Sequence, residues 1–118
     1  MGPQGGSEGV RGIGPLEADD LQRSRAALLD VREPSEWQAG HAPSALHIPL
    51  GELEDRVGTL ARDRRWVVVC RSGHRSARAT ALLCRCGFDA VNLHGGMEAW
   101  ASAGLPVETA DGMPGSVV

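Results

Sequence analysis

The sequence predicts an α/β layer fold, one compact domain with a mostly parallel sheet flanked by helices, within a chain of 118 residues. Three observations carry that expectation. Short apolar runs alternate with stretches at helical spacing, the pattern of strand-helix-strand units. One run, Trp66-Val67-Val68-Val69-Cys70, is apolar without a break, as a central strand covered on both faces should be. With 42% hydrophobic residues the chain can fill a core without disulfide or metal staples.

The elements follow in order. Residues 1–14 read as a flexible tail, because glycine and polar side chains there bury too little apolar area to offset the entropy of ordering. A first helix is expected over about residues 16–23, then strands at 26–31 (AALLDV) and 45–48 (ALHI). Next comes a helix with Leu50, Leu53, Val57, Leu60 and Ala61 on one face. Its acids Glu52, Glu54 and Asp55 come early and Arg62, Arg64 and Arg65 late, an order that complements the helix dipole. After the strand at 66–70, a helix over about 74–86 shows Ala77, Ala81, Leu82, Leu83 and Cys84 as apolar positions and Arg78 and Arg85 as an exposed stripe. Gly87 stops it. A strand at 90–93 (AVNL) and a short helix at 97–103, closed by Gly104 with Pro106 beyond, complete the pattern. A fifth strand is expected near one of the ends. Residues 109–118 read as a second flexible tail, which bounds the domain at 15–108.

Composition narrows the function. Aromatic residues make up 3%, with no Tyr and one Phe, so platforms for stacking bases are scarce. All 12 basic residues are Arg against 15 acids, a net charge of -3, which favours neither nucleic acid nor an anionic membrane as partner. The glycine-rich start lacks the apolar run of a secretory signal, and no stretch approaches a membrane span. The three cysteines, 70, 84 and 86, form an odd set suited to free thiols. A soluble cytoplasmic protein is therefore expected, and a monomer is compatible with the sequence.

Chemistry concentrates after the third strand, in Cys70-Arg71-Ser72-Gly73-His74-Arg75-Ser76. In an open parallel sheet, sites lie at the carboxyl ends of strands, and Cys70 stands there. The helix that follows offers unpaired N–H groups and positive potential, which favour a thiolate. Gly73 and the small Ser72 let the backbone curl so that several N–H groups face one centre, and Arg71 and Arg75 add positive charge. Alone, Cys70 is equally well a small apolar residue ending a core strand. The polar residues that follow it at once favour a nucleophile in an anion cradle.

This loop resembles the active-site loop of the rhodanese family. Leu29-Asp30-Val31-Arg32-Glu33 looks like that family's first-strand motif, Trp37 with Gly40-His41 like the element after it, and residues 45–49 like its run ending in Ile-Pro. Gly95-Gly96-Met97 with Ala99-Trp100, then Gly104-Leu105-Pro106-Val107, resemble its closing segment. The likeness covers residues 16–107. Where the family commonly has glycine in its Gly-His-Ile-Pro-Gly-Ala element, this chain has Ser44; a left-handed backbone there would cost about 1 kcal/mol.

The resemblance implies a three-layer fold around a five-stranded sheet, with Cys70 as catalytic residue and Arg71, Ser72, Gly73, His74, Arg75 and Ser76 as the substrate-binding loop. It implies transfer of a sulfane sulfur from a donor such as thiosulfate, through a Cys70 persulfide, to cyanide, a thiol or an accepting protein. No metal or organic cofactor is required. Two rivals remain: a non-catalytic regulatory or docking module, and a cysteine phosphatase or arsenate reductase. Phosphatase relatives of this fold place five residues between Cys and Arg, whereas four separate Cys70 from Arg75 here.

Other residues are expected to be structural. Asp30 and Arg32 should hold loops through charge-assisted hydrogen bonds. His41 and His47 lack partners at metal spacing, and the role of His74 stays open. Cys84 and Cys86, two apart on a helix, suit packing better than a metal site with His94. Trp37, Trp66 and Trp100 suit packing anchors.

Overall fold

The structure, a computed structural model, describes residues 10–118. Five strands form one sheet: β1 (Gly12–Ile13), β2 (Ala27–Asp30), β3 (Leu46–His47), β4 (Trp66–Val69) and β5 (Ala90–Leu93). Their spatial order is β1-β5-β4-β2-β3, and every pairing is parallel. The helices are α1 (Pro15–Leu21), α2 (Pro34–Ala39), α3 (Leu50–Arg56), α4 (His74–Arg85) and α5 (Gly96–Ser102).

β4 lies in the middle of the sheet with all four residues buried, as its unbroken apolar run requires. Side chains alternate across a strand, so β4 feeds two cores. Trp66, Val68 and Cys70 join a cluster with Leu53 of α3 and Ala79 and Leu83 of α4. Val67 and Val69 join a second cluster with Ala18 of α1 and Met97 and Trp100 of α5. The sheet is thus the middle of three layers.

The fifth strand is β1, inside the stretch expected to be a tail. Two residues, one of them glycine, leave no period for a sequence to show, yet they pair with Asn92 and Leu93 at the sheet edge. The expected tail over residues 1–9 lies outside the described residues. At the other end, residues 109–118 make main-chain contacts. The Ser116 N–H donates to the Ala39 carbonyl at 2.8 Å, the Gly115 N–H donates to the Val107 carbonyl at 2.9 Å, and Val117 packs on the second core. Such contacts have no side-chain signature.

Two helical expectations change, and one further helix is present. α3 ends at Arg56 and passes into a 3-10 turn at Val57–Thr59, because Gly58 disfavours continuation. The arginines expected at its end therefore lie beyond it: Arg62 stacks 4.1 Å over the Phe88 ring and donates to the Cys86 carbonyl, while Arg65 pairs with Asp89 at 3.1 Å. In α4 the buried positions are Ser76, Ala79, Thr80 and Leu83, so the inward face is rotated from the one that apolarity suggests. Two hydroxyl residues face inward because both find acceptors, and Cys84 is exposed rather than packed. α2 was unforeseen. It is six residues long, begins with Pro34 in its first turn and carries Trp37.

Ser44 has φ 70°, the left-handed conformation in which glycine carries no penalty, so the departure noted above costs about 1 kcal/mol here.

Candidate active site

Cys70 follows the last residue of β4, and α4 begins four residues later at His74. The intervening chain curls around sulfur. Gly73 takes φ 111°, a conformation most side chains resist, and its N–H donates to Cys70 Sγ at 3.1 Å. Ser76 Oγ, fully buried in the first turn of α4, lies 3.3 Å from the same sulfur.

The curl needs its carbonyls turned away from sulfur, and α5 receives them. The Met97 N–H donates to the Cys70 carbonyl at 2.8 Å and the Glu98 N–H to the Arg71 carbonyl at 3.0 Å. These are first-turn N–H groups that a helix cannot satisfy internally. Gly96 makes this approach possible, since a Cβ there would lie 2.5 Å from the Arg71 and Cys70 carbonyl oxygens.

The electrostatic outcome is a competition. Burial raises the pKa of the Cys70 thiol; hydrogen bonds from the Ser76 hydroxyl and from the N–H groups of Ser76, Gly73 and Ser72 outweigh it, and the pKa ends below its ordinary value. The shift runs towards the thiolate although Cys70 is only 1% exposed.

The structure places the predicted loop residues in three groups. Gly73 and Ser76 touch sulfur directly. Ser72 and His74 are exposed at the rim, with Ser72 Oγ 3.3 Å from His74 Nδ1. Both arginines are paired. Arg71 meets Glu98 at 3.0 Å in a half-exposed surface contact, and Arg75 grips Glu36 of α2 with two parallel bonds of 2.7 and 2.9 Å. Arg75, donating its side-chain hydrogen bonds to the Glu36 carboxylate, lowers the pKa of that carboxyl from 4.5 to about 2. The positive charge expected to face sulfur is largely answered within the loop's surroundings.

Sequence reasoning missed Glu36, Glu98 and Asn92. Glu36 and Glu98 lie far from the loop in sequence and carry no local signal. Asn92 did carry one: it is the lone polar residue in the apolar strand Ala90-Val91-Asn92-Leu93, and a buried polar group demands partners. Opposite Val68 in register, it faces the same side as Cys70. Its Nδ2 donates to the Gly73 carbonyl at 3.1 Å and its Oδ1 accepts from the Ser76 hydroxyl.

The residues expected to be structural occupy a frame on the other side of the loop. Asp30 and Arg32, both fully buried, form a two-bond ion pair, and Arg32 Nη2 donates onward to the Gly40 carbonyl at 2.8 Å. Trp37 is sandwiched between His41 and His47, with ring centroids 3.6 and 4.7 Å away. His41 Nδ1 bonds the Trp37 carbonyl and His47 Nε2 the Arg32 carbonyl. Trp66 Nε1 donates to the Ala61 carbonyl and Trp100 Nε1 to the Pro106 carbonyl.

Comparison with known proteins agrees with this architecture. The chain is 42% identical over 86 residues to a sulfurtransferase of Allochromatium vinosum, covering 72% of this chain and 80% of the relative. It is 35% identical over 101 residues to the thiosulfate sulfurtransferase GlpE of Pseudomonas syringae, covering 85% and 94%. Among solved structures, a rhodanese-related protein from Thermoplasma volcanium superposes with a TM-score of 0.78 at 34% identity, covering 82% of this chain and 96% of that one. Residues 15–103 match the rhodanese-like domain, and the chain belongs to that family.

Proposed function

We propose that the chain is a sulfurtransferase that carries a sulfane sulfur on Cys70 from a small donor such as thiosulfate to a thiophilic acceptor, cyanide or a thiol. The single observation that supports this most is Cys70 Sγ within the inward-facing N–H groups of its own loop, its pKa lowered in spite of burial. The names of its sulfurtransferase relatives point the same way.

In the first step the Cys70 thiolate attacks the outer sulfur of thiosulfate. A new S–S bond forms as the old one breaks, and sulfite leaves with the bonding pair. In the second, the acceptor attacks the outer persulfide sulfur, and Cys70 departs as the thiolate it was. Both steps place negative charge at the loop, so a fixed ring of donors serves both. With Cys70 only 1% exposed, a donor has to come down onto sulfur between Arg71, Ser72 and His74, all exposed. That favours small donors. The persulfide's terminal sulfur then stands about 2 Å further out, where an acceptor can reach it.

In this reading Arg71 recruits the anionic donor, since a surface ion pair such as that with Glu98 is weak enough to exchange. Ser72, Gly73 and Ser76 supply donors to sulfur, and His74 lines the entrance. Arg75 holds the loop to α2. With both ends of its fork on Glu36, it is not free to clamp a phosphoryl group over sulfur, which weighs against the phosphatase reading.

Two displacements through one intermediate give ping-pong kinetics. Initial rates of thiocyanate formation, with thiosulfate and cyanide varied together, should give parallel double-reciprocal lines, and Cys70→Ser should be inactive. Intersecting lines, or activity retained in the variant, would refute the mechanism. Turnover of an aryl phosphate through Cys70 in place of thiosulfate would favour the phosphatase instead.

A further inference from the structure

Behind the nucleophile, the Ser76 hydroxyl has one proton and two acceptors. Ser76 Oγ is 3.3 Å from Cys70 Sγ and also in hydrogen-bond contact with Asn92 Oδ1. The orientation of the Asn92 amide is fixed by chemistry: the Gly73 carbonyl only accepts, so the group facing it is Nδ2, and Oδ1 must face Ser76. The neighbours are dry, with Ser76 fully buried and Asn92 8% exposed. No alternative partner from bulk water competes there.

We propose that Asn92 is a positioning residue for sulfur transfer, providing the second resting place for the Ser76 proton so that the hydroxyl can follow the charge on Cys70. This rests on the sulfurtransferase reading for its purpose, although not for its test. When Sγ is a thiolate, Ser76 turns its O–H to sulfur. When Sγ is neutral, as a thiol or as the inner sulfur of a persulfide, the O–H returns to Asn92 Oδ1, where a buried donor stays satisfied. Asn92 thereby stabilises the uncharged states that Ser76 alone would not favour. Its Nδ2 keeps the amide from rotating, because turning it over would set Oδ1 against the Gly73 carbonyl oxygen. The Gly73 carbonyl also accepts the Ala77 N–H, the first bond of α4, so removing Asn92 leaves that helix turn in place.

The direction of the effect separates this role from simple support of the loop. In Asn92→Leu the Ser76 hydroxyl has only sulfur to bond, the thiolate gains relative to the thiol, and the midpoint of the pH profile for Cys70 alkylation should fall. One net hydrogen bond corresponds to about 0.5 to 1 pH unit. Ser76→Ala should raise the midpoint, and adding Asn92→Leu to Ser76→Ala should change nothing further. Alkylation by iodoacetamide reads the thiolate whether or not the protein transfers sulfur, so the result stands apart from the assay of activity. A midpoint raised or unchanged in Asn92→Leu overturns the proposal, as does a shift that persists without the Ser76 hydroxyl. The smaller Asn92→Val serves if leucine prevents folding. In the unaltered protein, the Asn92 side-chain amide resonances should move with the titration of Cys70; their indifference to it would also overturn the proposal.

Discussion

Burial of a thiol opposes its ionisation, and at Cys70 burial is the largest single influence; several directed hydrogen bonds together exceed it. The result depends on aim more than on charge, because the two guanidinium groups of the loop are engaged with Glu98 and Glu36. The placement of the loop was legible in order and spacing: Cys70, Gly73 and Ser76 stand at a strand end, a curl and a first helical turn. The partners of the arginines were not, since Glu36 is 39 residues from Arg75 and nothing local marks the pair. That pair gives a test at this scale. The fold depresses the Glu36 carboxyl from 4.5 to about 2, so its contribution is complete above pH 4.5 and is lost as the pH falls through about 2. Arg75 is 34% exposed, and screening keeps the contribution to about 1–2 kcal/mol. Denaturant unfolding of Glu36→Gln at pH 7 should show that loss, shrinking towards zero near pH 2; a difference that held at both pH values would mean the charge of Glu36 is immaterial.

Among the elements, those with a buried face of regular period were readable, and those held by main-chain contacts were not. β4 and β5 announce themselves by apolar runs, and α4 by its length. β1 has two residues and α2 six, too few for a period to emerge. α4 also shows where apolarity misleads, since Ser76 and Thr80 face inward, Ser76 onto Cys70 Sγ and Thr80 onto the Ser76 carbonyl, while Cys84 faces out. The element that braces the loop from outside is the start of α5. Its N–H groups take the Cys70 and Arg71 carbonyls, which leaves the loop's own N–H groups to face sulfur. Gly96→Ala would place a methyl group 2.5 Å from those carbonyl oxygens at φ 60°. We expect a stability loss of at least about 2 kcal/mol and a Cys70 alkylation midpoint moved towards that of an ordinary thiol. Unchanged alkylation in a folded Gly96→Ala protein would show that α5 does not shape the loop.

In the whole molecule, the sheet order sets the site. β4 is central, so its end is flanked by β5 with Asn92 on one side and by β2, leading to Asp30 and Arg32, on the other. Parallel strands put those ends at one edge, and the two cores on either face hold the edge still. The layer architecture and the position of Cys70 were therefore within reach of the sequence, while strand order was not, because it is set by long crossovers with no sequence period. The proposed sulfur transfer requires that this edge load sulfur onto one thiol. The most direct measurement is the intact mass of the protein after incubation with thiosulfate and removal of the excess, followed by peptide mapping. We predict a gain of one sulfur atom located on Cys70, discharged by cyanide and absent from Cys70→Ser. A mass unchanged by thiosulfate, or an added sulfur found on Cys84 or Cys86 and undiminished in Cys70→Ser, would contradict it.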